Sequence, residues 1–162
     1  LLLVGGCSSP TEIDSYITFT LTRTATFALP AGSRQDTTIA YTLPIDTTEY
    51  ERNDCSASLL HSACVTVVTL TSSNASFPLD NITSATLTMG SDTVGRAGGS
   101  APPIYTVSDT LTTTGRDITA DVRAAHCPTT LALRLRSVPA TPVTLTATMT
   151  IRHIALHTPL IR

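Results

Sequence analysis

The stretch Val143-Thr144-Leu145-Thr146-Ala147-Thr148-Met149-Thr150-Ile151 decides the fold class. Apolar residues fill every odd position and threonine every even one, the period-two pattern of a strand with one buried and one wet face. Threonine suits such a face because its branched carbon packs while its hydroxyl meets water. The alternation extends toward Leu156. Residues Tyr16 to Leu29 repeat it: Ile17, Phe19, Leu21, Arg23, Ala25, Phe27 and Leu29 alternate with Thr18, Thr20, Thr22, Thr24 and Thr26. Shorter runs predict strands over Thr38–Ile45, Val65–Thr71, Ile82–Met89, Ile104–Leu111 and Leu131–Val138.

Between these runs the sequence punctuates. Residues 46–63 read as a polar connection, and Gly90–Pro103, rich in Gly, Ser and Pro, as a loop. Residues 117–126 read as one short helix, with Ile118, Val122 and Ala125 on one face, Asp117 at its start and Pro128 beyond its end. Seven or eight strands and no long amphipathic helix predict an all-β domain. Alternating strands imply antiparallel sheets with one wet face each, and two such sheets bury their apolar faces against each other. The expectation is a single antiparallel two-sheet β-sandwich over residues 15–162, jelly-roll or immunoglobulin-like. The segment Asp117-Ile118-Thr119-Ala120-Asp121-Val122-Arg123, followed by Leu131-Ala132-Leu133-Arg134-Leu135, resembles the last third of some jelly-roll modules; the resemblance transfers no functional residue.

Composition narrows the function classes. The chain has 162 residues, 41% hydrophobic and 14% charged, enough for a core of its own and the reverse of a disordered tail. Its net charge of −2 provides no basic field for the phosphates of a nucleic acid. Threonine occurs 32 times and lysine never. The threonine rows superficially resemble the flat arrays of ice-binding β-solenoids, but sandwich sheets twist, so they read as ordinary solvent faces.

The chain opens Leu1-Leu2-Leu3-Val4-Gly5-Gly6-Cys7-Ser8-Ser9-Pro10. An apolar run, two small residues and a cysteine form the tail of a secretory signal. Val4-Gly5-Gly6-Cys7 resembles the lipobox of bacterial lipoproteins, with Val where Leu is commoner. The resemblance implies that residues 1–6 are the remnant of a signal peptide, that Cys7 carries acyl chains, and that residues 7–14 tether the domain. Ser8 after the cysteine suggests sorting to the outer membrane. The implied partner is a bilayer, held by burial of acyl methylenes.

Three further cysteines remain. In an exported chain, Cys55 and Cys64 are candidates for a disulfide, with Cys127 competing. A metal site from Cys55, His61, Cys64 and His126 or Cys127 is the alternative; paired Cys-x-x-Cys motifs are absent. Asp46, Glu49, Glu51 and Asp54 gather hard oxygen ligands of the kind calcium prefers, without the ordered spacing of an EF-hand, so a solvated acidic loop is the competing reading. Tyr50, within the same loop, is the best exposed aromatic for a ligand such as a glycan.

No Gly-x-Ser-x-Gly and no His-Glu-x-x-His occurs. A hydrolase would need a dispersed site, for example Asp121, His126 and a serine. The reading favoured by these residues is a lipid-anchored envelope β-sandwich with a binding or structural role and no catalytic site. The alternative is a glycan or small-ligand receptor using the sandwich loops, with calcium assisting; otherwise no cofactor is implied.

Overall fold

The computed structural model describes residues 15–98, 108–124 and 126–157. Cys7 and the tether lie outside these residues. Eight strands follow in chain order: β1 (Tyr16–Leu29), β2 (Asp36–Pro44), β3 (Leu60–Ser72), β4 (Ile82–Met89), β5 (Asp92–Gly98), β6 (Ser108–Thr113), β7 (His126–Leu135) and β8 (Val143–Leu156). Two short helices, α1 (Thr48–Glu51) and α2 (Thr119–Arg123), lie in the connections β2–β3 and β6–β7.

The strands form one antiparallel sheet, ordered β1-β8-β3-β6-β5-β4-β7-β2 and nearly closed on itself. The long alternating runs dominate it. β1 and β8 pair without a register shift, from Tyr16 opposite Leu156 to Leu29 opposite Val143. Consequently the odd, apolar rows of both strands face one way and their threonines the other. The inward rows meet around Phe27, Leu70, Leu87, Leu131 and Leu145, all fully buried. On β3, irregularities at Leu60/Ser62 and Val65/Val67 bend the strand against β8. The second leaves Val67 42% exposed, an interruption of the alternation.

Several predicted boundaries change, and β3 begins at Leu60, inside the connection expected over 46–63. The expected loop 90–103 contains strand β5, while its residues 99–103 lie outside the described residues. Glycine content hid this strand. Gly95 packs under Val68 and Leu111, where an added Cβ would stand 3.3 Å from each and press on both, so this position in the sheet favours glycine. The turn between β4 and β5 also requires glycine: Gly90 has φ +57°, and its Cβ would collide with the Asp121 carboxylate. The expected helix over 117–126 is only one turn, Thr119–Arg123. The Asp117 carboxylate accepts the Thr119 N–H at 2.9 Å, and Ile118 and Val122 are buried as the pattern required. His126 already belongs to β7, which pairs with β2 through Pro44.

Candidate functional site

The acidic connection 46–54 is the segment on which most of the expected chemistry falls. Asp46 opens it. Its Oδ1 accepts both the Thr48 N–H, at 3.0 Å, and the Thr48 hydroxyl, at 2.7 Å, which holds the carboxyl below the usual carboxylate range. This local bond starts α1. The turn directs Glu49 and Tyr50 toward the sheet and leaves Glu51 exposed. Asn53 Nδ2 donates to the Glu49 carbonyl at 2.7 Å, and Asp54 turns the chain with φ +53°.

Glu49 forms an ion pair with Arg23, the one charged member of the inward row of β1. The pairing atoms, Arg23 Nη2 and Glu49 Oε2, have no other hydrogen-bond partner among the described residues. Arg23 Nη1 also donates to the Thr22 carbonyl at 3.2 Å. A cation forced inward by strand periodicity is thereby neutralised from the connection below.

Beside this pair Tyr50 is 1% exposed, which corrects the expectation of an exposed ring. Its one-turn helix packs the ring into the fold, where it meets Phe19 and His153 edge to face, with centroids at 6.1 and 5.5 Å. Phe19 and His153 face each other across β1 and β8 and stack at 5.1 Å with 7° between planes. His153 Nδ1 donates to the Ile151 carbonyl at 3.1 Å, so Nε2 is the acceptor and receives the Tyr50 hydroxyl at 3.4 Å. The hydroxyl also lies 3.5 Å from the Val122 carbonyl oxygen of α2. Burial lowers the His153 pKa to about 4 and raises that of Tyr50. The imidazole is therefore neutral at pH 7 and serves as a packed ring and a hydrogen-bond acceptor.

Among the described residues the cysteines form no disulfide: Cys55, Cys64 and Cys127 are free thiols. Cys55 is buried and donates to the Tyr50 carbonyl at 3.3 Å, whereas Cys64 lies on the other side of β3 from buried Ala63 and Val65. Arg152 Nη2 stands 3.6 Å from its sulfur. The connection thus turns Cys55 into the interior, while strand alternation turns Cys64 away from the buried side of β3. Cys127 is buried on β7; burial raises the pKa of both Cys55 and Cys127. Exposed His61 packs its ring against Tyr16 at 5.2 Å, and His126 is exposed at the start of β7. Asp121 faces Gly90, and burial, then Asp92, raises its pKa. Among the described residues no three His, Cys, Asp or Glu side chains are grouped to hold a metal.

Arg23 and His153 are the members of this cluster that sequence reasoning did not single out. Both stand in apolar rows, Arg23 between Leu21 and Ala25 and His153 two residues after Ile151. A polar side chain in such a row is the signal that was available.

A concavity of about 320 Å³ lies between the β3–β4 and β7–β8 connections, lined by Asn74, Phe77, Asn81, Ser137, Val138 and Thr141. Its polar groups largely bond each other. Asn74 Nδ2 donates to Thr141 Oγ1 at 3.3 Å, and Ser137 Oγ to Asn81 Oδ1 at 2.5 Å.

No protein-family profile matches the chain, and no curated protein matches it. Among solved structures the chain is similar to a protein of the cyanophage Pam1 capsid asymmetric unit, with 16% identity, a TM-score of 0.40, and coverage of 92% of this chain and 94% of that one. It is also similar to a chain of Desmodium yellow mottle tymovirus, with 13% identity, a TM-score of 0.34, and coverage of 100% and 94%.

Proposed function

We propose that this protein is a non-catalytic β-sandwich module with a structural or binding role, held on the bacterial envelope by acyl chains on Cys7. The observation that carries the non-catalytic reading is the orientation of the 46–54 connection. Glu49 turns to Arg23 and Tyr50 to His153, so the groups that would mark a ligand or reaction site instead close the interior. The sandwich reading is supported by the pairing pattern. Strands β1-β8-β3-β6 and β2-β7-β4-β5 make two groups of four, joined among the described residues through Gly95–Thr113 and Arg96–Thr112. Two such groups of four are what an eight-stranded jelly roll would require, and this supports the sandwich reading. A glycan receptor would use the concavity around Asn74 and Asn81, and a sugar would have to displace the side-chain bonds already made there.

The anchor is supported by Val4-Gly5-Gly6-Cys7 and by the polar stretch Ser8-Ser9-Pro10-Thr11-Glu12 that follows it. Its test is the intact mass of the full-length gene product purified from membranes of a native-like bacterial host. Cleavage before Cys7 plus acyl chains is the expected mass. A water-soluble product that keeps residues 1–6 and carries no lipid would remove the anchor and the outer-membrane assignment. If the lipidated mass is found, crosslinking on the envelope identifies the partner of the anchored module.

A further inference from the structure

Strand β1 ends the sheet order, with β8 on one side and, among the described residues, no paired strand on the other. The His157 N–H donates to the Ser15 carbonyl at 2.8 Å, in the same register that sets Tyr16 opposite Leu156. Odd residues of β1 therefore direct their N–H and C=O groups to β8, and even residues direct theirs to the open edge. The bond from the Arg23 guanidinium to the Thr22 carbonyl agrees with this assignment.

Among the described residues this edge carries little of the usual protection against pairing: the Arg23 guanidinium takes one lone pair of the Thr22 carbonyl and leaves the second for a partner's N–H. It has no proline, no lysine and no bulge, and its one charge, Arg23, is engaged with Glu49. The strand at the other end, β2, is shorter, begins with Asp36 paired to Arg134 at 3.4 Å and ends with Pro44. The C-terminal half of β1 lies beside β2, where Phe27 and Tyr41 meet with centroids at 6.0 Å. In its N-terminal half, Ile17, Phe19 and Leu21 are only half-buried, unlike Ala25, Phe27 and Leu29 of the same row.

We propose that two copies of this chain join through these edges, β1 antiparallel to β1 about Phe19. Hydrogen-bonded pairs across this edge must match even residues with even. Centring on Phe19 sets Thr18 opposite the partner's Thr20 and Tyr16 opposite the partner's Thr22. On the other face, Ile17 lies opposite the partner's Leu21 and the two Phe19 rings meet. Residues 16–22 carry no charge, so no like charges oppose each other. Centring one or two residues further along would set Arg23 against Ile17 or Phe19. The threonine pairs and apolar pairs are both favourable cross-strand combinations.

The test is sedimentation equilibrium of the 162-residue chain carrying Cys7→Ser, under reducing conditions, together with hydrogen exchange of the Thr18 and Thr20 amides. The expected result is a dimer at hundred-micromolar concentration, with both amides protected more strongly as concentration rises. Thr20→Pro removes a donor from the open edge and Thr20→Lys places a charge beside it, and each weakens association by roughly tenfold or more. Thr38→Lys, on the exposed face of β2, leaves the dimer intact. If Thr20→Pro does not fold, Thr20→Lys decides. A monomer at that concentration overturns the proposal. So does a dimer that survives Thr20→Lys or dissociates with Thr38→Lys. Protection of Thr18 and Thr20 in a monomer also overturns it, and shows that another segment of the same chain covers the edge.

Discussion

Arg23 on β1 and Glu49 on α1 form an ion pair that joins the inward row of a strand to the connection beneath it, with side-chain exposures of 10% and 28%. Taking a cation out of water is unfavourable unless an opposite charge accompanies it. The acidic connection thus has a structural task, which the 46–54 sequence suggested only as a patch of oxygen ligands.

Removing Glu49 leaves Arg23 buried and unpaired. Glu49→Gln is expected to lower stability by roughly 2–3 kcal/mol, less than for a fully buried pair because Glu49 keeps some contact with water. Urea unfolding of the two proteins measures this. A second variant, Arg23→Leu with Glu49→Gln, should regain much of the loss, because an apolar residue suits the row. Equal stability of Glu49→Gln and the parent would show that the pair contributes nothing.

His153 makes stability depend on pH. Its folded pKa is about 4, below the ordinary 6.5, so between these values the unfolded chain binds more protons than the folded one. Stability from the neutral ring is present above pH 6.5 and declines as pH falls toward 4, by up to about 3 kcal/mol for a shift of this size. Comparing thermal melts of the parent and His153→Phe across this window isolates the effect, with carboxylates common to both. Parallel pH profiles would assign the acid sensitivity to other groups.

The thiols should separate by burial. In the folded chain carrying Cys7→Ser, a maleimide is expected to modify Cys64 first, while Cys55 and Cys127 react only after unfolding, because burial disfavours their thiolates. Intact mass after labelling gives the number of adducts, and peptide mapping their positions. A native protein in which neither Cys55 nor Cys64 reacts, before or after denaturation, would contain the bridge that the free thiols here lack.

Calcium is expected to leave the melting temperature unchanged at millimolar concentration. Glu49 is paired with Arg23 and Asp46 with Thr48, so recruiting them would break existing bonds. A clear upward shift, lost in Asp54→Asn, would restore the 46–54 connection as a cation site.

The alternation in 16–29 and 143–151 was sufficient to predict strands, their buried faces and an all-β fold, because side-chain direction along a strand follows from local geometry with period two. Strand β5 was not legible. Its glycine answers to Val68 and Leu111, which come from distant parts of the chain. Partner choice among strands, and the near-closure that places β1 close to β2, also depend on contacts far apart in sequence.

The same division applies to the candidate site. The sequence by itself determined that Arg23 stands in an apolar row and that acidic residues gather at 46–54. Only the tertiary structure decided that Glu49 meets Arg23, that Tyr50 is buried against His153, and that Cys55 and Cys64 turn apart. A local pattern determines which side of its own element a residue occupies. What awaits it there is set by long-range packing, where burying an ion or a hydroxyl requires a partner from elsewhere in the chain.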